Sequence, residues 1–509
     1  MTVDVIKDIK GNEYKFDRVV DPKKGLGKTI YFTTDGKFAI SFFADEYNND
    51  ENIKRLQRII YYYSDKIFTP KGGKFFKDIF CWPICLIHQG NLLATVSPVY
   101  PDKFFFRSAP PEEPDSILGG ALKEPFWFAS SFNLNSFVPK DERGDLLGIL
   151  NVCLNLSRGI DKLHQFDLLP ANLSFNNCII DPLSGSAIIK EISHLIIPDY
   201  PSYLSTLSPE FLAPELVAVR TTDPNAKVRY SKETNRHALA LLIYYFLFHR
   251  HALLGTPLKI RYSSVYKKDE NDVNLFKVLG KDARFFENLM ENHDFPPQDQ
   301  NVELSPWNDH KRLPYTVIGT YLSQLFEKSF VDGLHAPSIR PLAADWIKAI
   351  VRTRDLLYPC SNPDCPMHWF VLDDKFTCPY CDSPITDDSI PKIQIFPYDN
   401  KVGTADNFEL VVHHNRYLYQ WHVNPQLFPN EFLTEGQKKP VGYFSFYKNK
   451  WFFVNQSLEF LHYYDDNQKP HHVQIGKKLD ITDNLILSLY NGSDGYFAKF
   501  QILRPQRQA

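Results

Sequence analysis

Four cysteines stand in two pairs, Cys360-x4-Cys365 and Cys378-x2-Cys381, within CSNPDCPMHWFVLDDKFTCPYC. Thiolates at that spacing can converge on one tetrahedral Zn2+. A site closed by four sulfurs is structural, because no position is left for substrate. His368 lies between the pairs, but the four cysteines are complete without it. A second stretch, LHQFDLLPANLSFNNCIIDP over 163–182, has the make-up of a loop for phosphate chemistry. It brings a carboxylate, Asp167, and the amides Asn172, Asn176 and Asn177 to the start of a short apolar run. A carboxylate there could take the proton of an attacking hydroxyl, and an amide oxygen could hold a divalent metal on phosphates.

Protein kinases use an Asp-x4-Asn loop for those two tasks. Two registers fit the spacing here: Asp167 with Asn172, or Asn172 with Asn177. The metal-holding amide must sit directly before the strand that returns beneath the nucleotide. Asn177 is followed at once by Cys178-Ile179-Ile180-Asp181, whereas Asn172 is followed by Leu-Ser-Phe-Asn-Asn. The first register also leaves only Gln165 and Phe166 between the helix end and the acid, too few for the chain to turn. The second register is preferred, and it places Asn172 where the acid belongs.

The elements that must position these residues follow from pattern. At 509 residues the chain is too long for one core. YKFDRVV, KTIYFTT and KFAISFF read as strands, with Asp35-Gly36 as a tight turn between the last two. NDENIKRLQRIIYYYSDKIF is the one helix of that region. Helices then dominate, with RGDLLGILNVCLNLSRGIDKLHQF, KETNRHALALLIYYFLFH and IRPLAADWIKAIVRT the clearest. Beyond 390 short strands return between turns rich in Asn, Asp and Gly. Lys and Arg number 57 and Asp and Glu 60, a net charge of -3, so charge gives no ground for nucleic acid or an anionic membrane as partner. The start, MTVDVIKDIKG, lacks an apolar signal core, and the apolar run over 238–248 is too short for a bilayer. Cys81, Cys85, Cys153 and Cys178 lie in apolar runs and read as core. Such cysteine usage suits a reducing compartment, and a cytoplasmic location is expected.

With the second register, residues 1 to about 355 resemble a protein kinase domain. Ala213-Pro214-Glu215 is similar to the motif that closes the activation segment, where the Glu pairs with a buried arginine; Arg340 of SIRPLAADW stands in the matching place. KETNRHALALLIYYFLF resembles the long central helix of the large lobe, with Asn235 where an aspartate usually anchors the catalytic loop. More narrowly, GKTIYF, FCWPICLI, SPVYPDKFFF, NRHALALLIYYFLFHRHALLG, SFVDGLHAPSIRP, the cysteine module and the tail resemble bacterial kinase-like proteins of the tellurium-resistance-associated group. These are encoded beside von Willebrand A proteins and metal-dependent phosphatases. The resemblance implies an α+β chain: a kinase-like N-lobe over 1–98, a C-lobe over 99–355, a four-cysteine zinc ribbon over 356–390 and an all-β sandwich over 391–509. It implies protein partners of those two kinds.

The departures from the family carry the functional reading. The group has HSDLSYKN in the loop and Asp-x-Asp-Gly in the metal motif; here the loop ends PANLSFNN and the motif reads Glu191-Ile192-Ser193-His194. An amide at 172 cannot accept a proton as a carboxylate does. Glu191 keeps a carboxylate at the metal-ligand position, displaced by about one bond length, which Mg2+ tolerates poorly. Ser208 stands where a threonine usually contacts the acid.

Gly25-Leu26-Gly27-Lys28-Thr29 is not a P-loop, since Pro22 replaces its first glycine and TIYFTT reads as a strand. Ser41 occupies the usual lysine position, and GLGKTIY resembles the with-no-lysine kinases, in which the phosphate-contacting lysine sits in the glycine-loop strand. Gly25, Gly27 and Lys28 are thus the candidate nucleotide contacts, and Glu51 the candidate partner of Lys28. The tail's likeness to forkhead-associated domains makes Arg416, His422 and Asn455-Gln456-Ser457 candidates for phosphopeptide contact, although an interaction module or brace is favoured. The expected function is that of a pseudokinase-like regulatory scaffold, with structural zinc and with ATP and Mg2+ as candidate ligands. The alternatives are an active atypical Ser/Thr kinase or nucleotidyl transferase using Lys28, Asn177 and Glu191, and an adaptor that binds no nucleotide.

Overall fold

The computed structural model describes residues 3–17, 23–25, 27–107, 118–200, 208–223, 229–254, 279–288, 313–397, 407–465, 467, 469–489 and 495–505. Leu26 and Pro22 lie outside them. The protein is mixed α/β with several small sheets. It divides into two compact units, one of 1–144, 148–312 and 324–347, the other of 145–147, 313–323 and 348–509.

In the first unit a hairpin of β1 (Val3–Lys7) and β2 (Glu13–Asp17) precedes a five-stranded antiparallel sheet. Its strands are β3 (Lys23–Gly25), β4 (Lys28–Phe32), β5 (Phe38–Phe43), β6 (Cys85–Gln89) and β7 (Leu92–Pro98), in the order β3-β4-β5-β7-β6. Alternation along these strands sends side chains to two faces. Ile40, Ile87, Ala94 and Val96 pack with Ile6, Tyr14 and Phe16 of the hairpin. Phe43, Leu86 and Leu93 pack with Leu56 and Ile60 of the helix that follows β5. The β4–β5 turn closes through Thr33 N–H to Phe38 O at 2.9 Å, with Gly36 at φ +69, a value glycine adopts freely.

That helix, α1 (Asp50–Gln57), starts where the Asn49 side chain accepts from Asn52 N–H at 2.9 Å. It continues through a π-helical segment, Arg58–Tyr63, into α2 (Ser64–Phe68). The apolar periodicity of 49–68 therefore reads correctly as helix, while the one-residue expansion of the π turn leaves the pattern nearly unchanged. A short α3 (Gly73–Lys77) leads into β6.

Helices then take over, with α4 (Ser131–Phe137) and α5 (Leu146–Gln165). The buried hairpin of β8 (Cys178–Asp181) and β9 (Ser186–Ile189) follows, with Ile179 opposite Ile188. Next come α6 (Pro214–Thr222) and α7 (Lys232–Phe248). In α7 every residue from 237 to 248 is buried, so its uniformly apolar run reflects a core helix. A capping box of Ser231 and Thr234 starts it, and His249 at φ +54 ends it. No helix among the described residues is long and apolar enough to cross a membrane. Cys85, Cys153 and Cys178 are buried, whereas Cys81 is only partly so.

The second unit receives the ends of α8 (Thr320–Glu327) and α9 (Ala343–Asp355). The two-stranded pair of β10 (Leu357–Pro359) and β11 (Trp369–Val371) comes next. Beyond it a six-stranded and a four-stranded antiparallel sheet share one core, built from residues such as Ile395, Leu410 and Phe500 on the first and Val441, Phe444 and Phe453 on the second.

Candidate functional site

Cys360 follows β10, Cys365 precedes β11, and Cys378 and Cys381 lie on the turn beyond it. Backbone bonds shape the turns: Cys360 N–H to His368 O at 2.7 Å, Cys365 N–H to Asn362 O at 3.1 Å and Cys378 N–H to Ser383 O at 2.9 Å. All four sulfurs lie within 4.8 Å of one another, with Cys360–Cys381 at 3.5 Å and Cys365–Cys378 at 3.8 Å. Zn–S bonds near 2.3 Å in a tetrahedron put sulfurs roughly 3.8 Å apart, so the four cysteines can hold a metal ion such as zinc.

In the first unit, Lys28 opens β4 and turns inward, its side chain only 5% exposed. Its Nζ lies 2.9 Å from Glu191 Oε2 and donates to Ser193 Oγ at 2.5 Å. The ammonium also sits 5.2 Å from the centre of the Phe43 ring. His194 Nδ1 stands 2.9 Å from the same Glu191 oxygen. Burial opposes the charge of Glu191, yet the Lys28 ammonium and the His194 ring together hold its carboxyl well below the usual range. Burial, then the nearby ammonium, pushes His194 down, which keeps its ring neutral near pH 7. Glu191 has φ +61, a left-handed conformation that a glutamate adopts only under constraint.

Gly27 precedes this lysine at φ +60, and a Cβ there would stand 2.4 Å from the Tyr47 ring. The left-handed backbone favours glycine there, and a larger residue would also have to displace the Tyr47 ring. Gly25 ends β3 and pairs with Lys28 across the hairpin. Ser41 on β5 faces Ile30 in the ladder. Glu51 is exposed in the first turn of α1 and is not the partner of Lys28. The residue of α1 that reaches inward is Arg55, which donates to Leu195 O at 2.9 Å and to Ser193 O at 2.8 Å. Asn52 accepts from the same guanidinium at 2.7 Å. Arg55 was missed by pattern reading, although a cation beside Leu56 on the apolar stripe of a helix is a signal that could have found it.

The loop of 167–177 is held by side chains. Asp167 is 68% exposed and pairs with Lys232 at 2.5 Å, away from the buried amides. Asn172, at φ +57, is 6% exposed and accepts from Ser208 N–H at 2.9 Å. Its Nδ2 donates to Ser208 Oγ at 3.3 Å, Ser208 Oγ reaches Ser174 Oγ at 3.3 Å, and Ser174 Oγ donates to Asn177 Oδ1 at 3.1 Å. Asn177 Nδ2 points back to Ala171 O at 3.5 Å. The two amides thus sit at the ends of one chain of hydroxyls. Asn235, from the first turns of α7, donates to Pro170 O at 3.1 Å and ties the loop to that helix. Glu215 meets Arg340 through two bonds of 2.8 Å, and the guanidinium also donates to Gly333 O, Leu334 O and Glu233 O.

The tail residues are engaged internally. Arg416 Nη2 and His422 Nε2 lie 3.0 and 3.2 Å from Asp355 Oδ1, at the end of α9. Asn455 is fully buried and bonds Leu458 O, Val473 O and Leu458 N–H, bracing a turn.

No family model matches the chain, and no curated protein matches it significantly.

Proposed function

We propose that this protein is a pseudokinase-like regulatory scaffold, built as a bilobal kinase-like fold followed by a zinc ribbon and an all-β sandwich. The observation that carries the reading is the amide of Asn172, buried and bonded at both ends to Ser208, at the position where the family resemblance puts the proton-accepting carboxylate. The acid of the loop, Asp167, is turned outward to Lys232. A neutral amide leaves a phosphate-transfer cleft without its base, which lowers transfer by the roughly 10²–10⁴-fold that a positioned base supplies.

ATP is the ligand this reading assigns to the site, on the charge of Lys28. Lys28 is a buried ammonium next to a glycine turn, and it would meet the phosphates; Asn177 and Glu191 are the residues that would hold Mg2+. The Glu191 oxygen needed for a metal already accepts from Lys28 and faces His194, so the ammonium supplies the positive charge locally. The cysteine cluster is read as a structural zinc site, and the partners as a von Willebrand A-type protein and a metal-dependent phosphatase in a phosphorylation-linked stress or defence system.

Purified protein incubated with labelled ATP and Mg2+ or Mn2+ tests the reading, with a thermal shift read in parallel. A shift without transfer supports it. Transfer to the protein or a partner, abolished by changing Asn177 and Glu191, supports instead an atypical Ser/Thr kinase or nucleotidyl transferase, a reading favoured by the retention of Lys28 and Glu191 as a close pair.

A further inference from the structure

A second recess in the first unit lies apart from the Lys28–Glu191 pair. It has a volume of about 350 Å³. Its walls are the α3 turn around Phe75–Cys81, the segment Pro98–Phe104 that follows β7, and one edge of β9. Volumes of that size accept a small organic molecule. The lining is of two kinds. Phe75 and Tyr100 supply partly exposed aromatic surface, backed by the buried Phe80, Phe104, Ile79 and Ile188. Lys77, Lys103 and Asp78 supply charge, two cations against one anion.

Lys103 is placed for an incoming anion. Its ammonium is held by Ser186 Oγ at 2.7 Å and lies 5.3 Å from the centre of the Phe104 ring. Among the described residues no carboxylate pairs with it. A hydroxyl fixes its direction without neutralising it, so the charge stays available at the mouth of the recess, near Phe75 and Tyr100. We infer that this recess binds a planar, aromatic small molecule bearing one anionic group, its ring between Phe75 and Tyr100 and its anion on Lys103.

The wall strand continues toward the first site. Ser186, Ala187 and Ile188 line the recess, and the next residue, Ile189, bonds Ile79 O at 2.7 Å and Cys81 N–H at 3.0 Å. Glu191 follows two residues later. An occupant of the recess therefore rests on the strand that leads to Glu191, although binding itself does not depend on what the Lys28 site does.

The test uses the full-length protein and 1-anilinonaphthalene-8-sulfonate, an aromatic probe with one sulfonate, titrated by fluorescence and counted by calorimetry. One probe per folded chain is expected. Ser186→Phe, which intrudes on the recess and removes the hydroxyl that orients Lys103, should abolish that site, and Lys103→Glu at the exposed rim should weaken it about two- to fivefold, the scale of one solvent-facing ion pair lost. Circular dichroism and melting of both variants establish that they are folded; if Ser186→Phe melts early, Lys103→Glu decides, since its side chain lies at the surface. Affinity unchanged in a folded variant, or no stoichiometric binding by the wild type, overturns the inference.

Discussion

Lys28 and Glu191, 163 residues apart in sequence, meet at 2.9 Å with the lysine side chain almost wholly enclosed. Removing one member strands the other. Lys28→Met should lower stability by about 3 kcal/mol, as for other buried pairs cut on one side, while the double variant Lys28→Met/Glu191→Met should recover a good part of that loss. Urea unfolding of the wild type, both single variants and the double variant checks this. A double-variant loss equal to the sum of the two single losses would show that the pair has no energetic coupling.

The same lysine governs nucleotide binding on the reading given above. A thermal shift by ATP should vanish in Lys28→Met and persist in wild-type protein treated with EDTA, because an ammonium stands on the Glu191 oxygen where a metal would otherwise be needed. A shift that requires Mg2+ would contradict this.

Asn172→Asp should fold normally, since an aspartate oxygen can still accept from Ser208 N–H. It restores a proton acceptor, and labelled-phosphate transfer should rise over the wild-type background by roughly 10²-fold or more. An Asn172→Asp protein as silent as the parent would mean that more than the base is missing.

Acid should destabilise the first unit before carboxylates titrate. His164 and His251 are buried, and burial pushes each down to about 4. A depressed histidine contributes its full stability above the unfolded value near 6.5 and loses it as pH falls toward 4. Between pH 7.5 and pH 5 that is roughly 2 kcal/mol per ring. Glu191 adds a later loss: its carboxyl is depressed too, so its contribution holds above the ordinary value of 4.5 and fades below it. Urea titrations at pH 7.5 and pH 5, repeated with His251→Gln, separate these steps; an equal acid loss in wild type and variant would remove His251 from the account.

Chelation should act on the second unit. A tight zinc chelator, or Cys365→Ser, is expected to melt the β10–β11 module while the two large sheets persist, because metal binding in small four-cysteine modules is itself the folding energy. Metal analysis of the purified protein gives the stoichiometry, expected at one zinc per chain. Retention of the module's amide protection after zinc is lost would count against a structural metal.

Local chemistry was readable in the sequence where neighbours decide it. The two closely spaced cysteine pairs do converge, all four sulfurs lying within 4.8 Å of one another. The strand at Lys28 and the turn at Asp35-Gly36 follow from alternation and from a residue that tolerates positive φ. What the pattern did not give were contacts across the fold. Glu51 was the acid on the right helix, but α1 turns it to solvent and presents Arg55 instead, and a rotation of about 40° around a helix is beyond what periodicity resolves. Arg416 and His422 looked available for a ligand, yet both face Asp355. Cys81 read as core from its apolar neighbours and instead borders an open recess.

Arg55 grips main-chain oxygens at 193 and 195 and touches neither side chain through those bonds. The tether is therefore indifferent to which amino acids occupy the two positions, so long as the chain keeps its path. Substitutions at Ser193 or Leu195 leave these two bonds in place, whereas a single change at Arg55 removes both and leaves the helix held by the packing of Leu56 and Ile60.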